Sequence, residues 1–98
     1  MSEQQTDLHL KNFLNLPDGR EEYAKHMFDS DKKEPTLDPR FTDEENLELY
    51  RLRFDRAILS RKFDNKQISG FELDTQNDAI NDKVEAILQA SYQRRKSE

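Results

Sequence analysis

The sequence predicts an all-α protein, a small helical bundle of about four helices with one long central helix, with dimerisation as a means of completing it. Three observations predict this. Two glycines, three prolines, four isoleucines and one valine leave both turn makers and β-branched strand formers scarce. Thr42 and Glu45 form a Thr-x-x-Glu capping box, and no glycine or proline interrupts the chain from Asp43 to Phe63. Ile80, Val84, Ile87, Leu88 and Ser91 then repeat at the spacing of one helix face.

Each element follows from local chemistry. A first helix opens at Thr6 or Asp7, whose side-chain oxygens can cap free amides, carries Leu10, Phe13 and Leu14 on one face, and ends at Leu16. Pro17-Asp18-Gly19 is a turn, and Asp18 with Glu21 caps a short second helix that buries Tyr23, Met27 and Phe28 and stops by about Asp29. Residues 29–41 hold two prolines and little apolar periodicity, so they form the longest loop. The third helix runs from about Asp43 to Phe63 with two apolar stripes. One is Leu47, Tyr50, Phe54, Ala57 and Ile58; the other is Leu49, Leu52, Leu59 and Phe63. Asp64–Gly70 breaks the pattern, and Ile68, Phe71 and Leu73 fit either a short extended piece or a helical turn. Asp74 or Thr75 is expected to cap the last helix, which closes on Arg94-Arg95-Lys96 beside its exposed carbonyls.

Ninety-eight residues make a single helical domain, with flexible ends at about residues 1–5 and 95–98. Its core is thin. Leu, Ile, Val and Phe fill 22 of 98 positions, and charged residues at 38% outnumber hydrophobic ones at 33%, where an average globular protein is about 45–50% apolar. A rod with apolar residues on two sides in so lean a chain is expected to bury one of them intermolecularly.

The same residues exclude several chemistries. Without cysteine there is no disulfide, no Cys-ligated zinc or iron–sulfur cluster and no thiol nucleophile. His9 and His26 are the only imidazoles, and no His, Glu or Asp set at the i, i+4 spacing of a helical zinc site has a plausible third ligand. No serine sits in a Gly-x-Ser-x-Gly elbow, and two glycines cannot build a phosphate loop. Neither an enzyme nor a cofactor is expected. The polar N-terminus and the lack of an apolar run predict a cytoplasmic protein without membrane contact.

An internal echo, Phe28-Asp29 and Phe63-Asp64, has a spacing that resembles paired EF-hands. Counting twelve residues from each aspartate reaches Arg40 and Thr75, where that motif needs glutamate, so a degenerate module is only a minor alternative.

The function expected is non-enzymatic: a small adaptor, inhibitor or regulatory subunit that contacts another protein and self-associates. The interface candidates are Leu49, Tyr50, Leu52, Arg53, Phe54, Arg56, Leu59 and Phe63, with Tyr50, Leu52, Phe54 and Leu59 chosen for intermolecular burial. The alternative is a nucleic-acid-associated regulator using Arg51, Arg53, Arg56, Arg61 and Lys62, which the net charge of −5 disfavours globally.

Overall fold

Pro17 and Gly19 set the first corner. The computed structural model describes residues 10–28 and 37–97, and residues 10–14 form a helical segment, α1, followed by a turn over 15–18. The proposed caps at Thr6 and Asp7 lie outside the described residues. Helix α2, Gly19–Phe28, starts directly beneath α1. A Cβ on Gly19 would stand 1.9 Å from the Phe13 carbonyl oxygen, so the close approach of the two segments requires glycine there. The buried face of α2 is Tyr23, Ala24 and Met27, with Phe28 half-buried beside it.

Helix α3, Asp43–Asp64, has both arms of its capping box. The Thr42 hydroxyl accepts from the Glu45 N–H at 3.1 Å, and the Glu45 carboxylate accepts from the Thr42 N–H at 2.8 Å. Asp43, Glu44 and Glu45 line its first turn, and Arg61 and Lys62 its last, in the sense the helix dipole favours.

Helix α4 corrects the expected boundary. It spans Gly70–Lys96 and is capped by Ser69, whose hydroxyl accepts from the Glu72 N–H at 3.1 Å, so it begins about a turn before Asp74. Residues 65–69 are a tight turn and residues 70–73 belong to the helix, which removes the extended alternative. The supposed loop counted from Asp64 is therefore half helix, and no twelve-residue calcium loop exists there. Its counterpart beginning at Asp29 lies largely outside the described residues. The helix also continues through Arg95 and Lys96, where a flexible end is expected from the sequence.

Both stripes of α3, apart from Phe63 at its end, find cover within the chain. Tyr50 and Phe54 join Leu10, Tyr23, Ala24 and Met27 in one core, with Leu47, Ala57 and Ile58 at its margin. Leu52 and Leu59 join Ile80 in a second core, flanked by Ile68, Leu73, Val84 and Ile87. α3 is thus a shared wall, with α1 and α2 on one side and α4 on the other. The face of α4 that meets it carries Leu73, Asn77, Ile80, Val84, Ile87, Ser91 and Arg94, spaced alternately four and three residues apart as in an antiparallel hairpin. The long unbroken helix and the all-α bundle are as the sequence predicts.

One consequence is a correction. Tyr50, Leu52, Phe54 and Leu59 are 5%, 2%, 2% and 6% exposed, so these four residues fill the protein's own cores and have no side chain to offer a partner. α1 and α2 cover Tyr50 and Phe54, and α4 covers Leu52 and Leu59, which is the burial a second molecule was expected to give.

Candidate interaction surface

With the stripes of α3 covered except for Phe63, the large apolar residues that stay exposed among those described are Phe63 at the end of α3 and Leu14, Leu16, Phe71, Leu88 and Tyr92 outside it. α3 ends with Phe63 one residue short of its last position, and the turn that follows reverses the chain through Lys66, a non-glycine residue at φ 60°. The Lys66 N–H donates to the Phe63 carbonyl at 2.9 Å and the Gln67 N–H to the Lys62 carbonyl at 2.8 Å, which satisfies carbonyls at the helix end. This geometry places Ser69 to cap α4 and sets Phe71 one residue into the new helix. Phe71 is 81% exposed and Phe63 43%, and Ile68 is half-buried between them in sequence. The Phe63 ring edge lies 3.8 Å from where a Cβ on Gly70 would stand. The turn is therefore an aromatic tip edged by Lys62, Asp64, Lys66 and Glu72, close to neutral in charge.

At the opposite end of the hairpin the contacts are polar. Asn46, 6% exposed, accepts from the Asp38 N–H at 3.2 Å and donates to the Asp38 and Thr42 carbonyls, each at 3.1 Å. The Ser91 hydroxyl donates to the Arg40 carbonyl at 2.6 Å, and Arg94 donates to the same oxygen at 3.1 Å. Arg94 also grips both oxygens of Glu45, at 2.7 and 3.0 Å. This clasp ties residues 38–42 and the start of α3 to the end of α4. The Arg94 guanidinium holds the Glu45 carboxyl at about 2, and Arg40 does the same for Asp38, also at about 2.

The remaining predicted residues are scattered. Leu49 is half-buried, Arg53 lies with its guanidinium 5.0 Å over the Tyr50 ring, and Arg56 donates to the side-chain amide oxygen of Asn81 on α4. Arg51 is committed to Glu21 at 2.6 Å and Glu48 at 3.2 Å, and these hydrogen bonds push its already high pKa further up. At about 3.6 residues per turn, Arg53 and Arg56 fall across the helix from Arg51 and Lys62, with Arg61 between the two groups. The five cations proposed for nucleic acid thus share no common face. His26 packs tilted against Phe13 at 5.6 Å between ring centroids, inside the first core's rim, while His9 lies outside the described residues. Among the described residues no three His, Cys, Asp or Glu side chains gather into a possible metal site. No helix among them is long and apolar enough to cross a membrane.

Compared with protein-family models, curated proteins and solved structures, the chain matches none.

Sequence reasoning named Phe63 but missed Phe71 and the polar clasp. Phe71 was legible in principle, because Ser69 with Glu72 three residues on is a capping signature that puts Phe71 in the first turn of a helix. The clasp was not, since Arg94 and Glu45 are 49 residues apart and only the folded hairpin brings them together.

Proposed function

We propose that this chain acts without catalysis, by protein–protein contact, as an adaptor, inhibitor or regulatory subunit, and that its contact surface is the aromatic tip between α3 and α4. The observation that carries this reading is that Phe71, 81% exposed, and Phe63, 43% exposed, flank one turn in a chain with few apolar residues to spare. A single solvent-exposed leucine needs no explanation, but at this turn Phe71 forgoes a burial worth about 2 kcal/mol and Phe63, 43% exposed, about half as much. Burial against a partner recovers it. Aromatic side chains at a protruding turn also lose little rotamer freedom on docking, which makes them efficient anchors.

Partner capture from a native-host extract tests this with Phe71→Ser and with Arg53→Glu/Arg56→Glu. Contact through the tip predicts a protein partner that survives raised salt, is lost in Phe71→Ser and is kept by the double charge reversal. Capture that fades steeply from about 50 to 200 mM salt, fails in the charge reversal and ignores Phe71→Ser would instead support the nucleic-acid reading.

A further inference from the structure

We propose that the seam between α3 and α4 is a second docking site, separate from the aromatic tip, and that its occupant is an amphipathic helix of a partner protein with acidic side chains two turns apart.

The register of the hairpin builds the site. The Arg56–Asn81 and Glu45–Arg94 hydrogen bonds align the two helices, which sets Asp55 across from Lys83 and Lys62 across from Gln76. These four side chains frame a groove of about 410 Å³, floored by Ile58, Leu59, Ala79 and Ile80. The floor joins the two cores, since Ile58 packs at the margin of the first while Leu59 and Ile80 belong to the second.

Among the described residues no element lies over this groove. α2 has 10 residues against 22 in α3, about 15 Å against 33 Å, and its first turn is tied to α3 at Arg51 and Asp55. Lys62 lies two turns beyond that tie, and Lys62, Gln76, Ala79 and Lys83 are all exposed. Ala79 presents only a methyl group, so the backbone of an incoming helix meets no bulky side chain there.

Charge names the occupant. Lys62 and Lys83 stand on opposite walls, seven residues apart along the hairpin, or about 10 Å. Among the described residues neither ammonium is in an ion pair. Asp55, the one carboxylate among the described lining residues, is held by Arg20 at 3.2 Å, so the rim carries two uncompensated positive charges. On a helix, positions i and i+7 are spaced by the same 10 Å or so, and i+3 and i+4 fall between them on the same face. A Glu-x-x-Leu-Leu-x-x-Glu segment therefore matches the groove in both respects, carboxylates to the lysines and apolar side chains to the floor. Nucleic acid would meet the lysines and leave the floor wet.

A labelled, end-capped alanine-based peptide of about 16 residues carrying that segment, titrated with the full chain by fluorescence anisotropy, tests the proposal. It should bind about tenfold more tightly than the same peptide with glutamine for both glutamates. Lys62→Glu/Lys83→Glu should abolish that advantage, and a peptide with lysine for both glutamates should bind this variant in its place, which a misfolded protein could not do. Ala79→Gln, which raises a side chain from the floor, should weaken binding about tenfold. Phe71→Ser should leave peptide binding unchanged, so failure of this site and failure of the tip are told apart. Equal binding of the glutamate and glutamine peptides, or binding that ignores the lysine reversal, overturns the proposal. Loss of binding in Phe71→Ser would place the peptide at the tip and overturn it as well, while upholding contact there. A DNA duplex held by the wild type and released by the same double reversal would assign the lysines to phosphate, with the same result.

Discussion

Asn46 does the work of a strand edge with one side chain. It satisfies both the N–H and the carbonyl of Asp38 and turns residues 38–42 onto the start of α3. Asn46→Ala leaves the half-buried Asp38 N–H without that partner, while the Asp38 carbonyl keeps the Phe41 N–H, so it should cost about 2 kcal/mol in urea unfolding. Its neighbour Glu45 serves two masters, the Thr42 N–H and the Arg94 guanidinium. Because its folded pKa is lowered from 4.5 to about 2, its contribution is complete above pH 4.5 and is lost as pH falls toward 2. Asp38, lowered to about 2 by Arg40, and Glu21, lowered by Arg51, slope the same way. Thermal melts followed by circular dichroism should therefore be flat above about pH 5 and fall below it, and Glu45→Gln should flatten that fall. A Glu45→Gln curve that matches the wild type would show the clasp to be idle. At this scale the sequence spoke clearly where partners are close, as at Thr42 and Glu45, three residues apart. It was silent for Ser91 and Arg94, whose partner Arg40 is 51 and 54 residues away.

Among the elements, α4 depends on its first turn. Ser69→Ala removes the hydroxyl that accepts from Glu72 and should lower stability by about 1 kcal/mol, measured by chemical unfolding. Lys66→Gly should move the other way, raising monomer stability by a few tenths to about 1 kcal/mol, because glycine takes positive φ without crowding. A loss of stability in that variant would mean that the turn is unstrained. The misplaced start of α4 has a simple cause. Gly70 between Ser69 and Phe71 reads as a break, yet glycine at the first helical position forfeits little, because the amides there have no helical acceptor in any case. α3 was predicted to within a residue, because its cap, its charge gradient and its freedom from glycine and proline all agree.

The whole molecule has two cores of unequal weight. Six residues are buried in the α1–α2–α3 cluster and three in the α3–α4 cluster among the described residues. Native-state hydrogen exchange should find α4 opening at a lower free energy than α3, and Phe54→Ala, at about 4 kcal/mol, should cost more than Leu59→Ala, at about 3. Equal protection across both helices would refute this ranking. The two stripes on α3 were visible in the sequence, but their destination was not. Periodicity tells which side chains share a face, whereas the choice between covering that face with α4 or with another molecule depends on a turn of five residues. Standing between two cores also restricts α3 in a particular way. Phe54 faces one core and Leu52 the other, so inserting a single residue in mid-helix would swing everything beyond it by about 100° and misalign both seams together. Like a rack toothed on both edges, this helix can change its composition by small steps, but its length is locked.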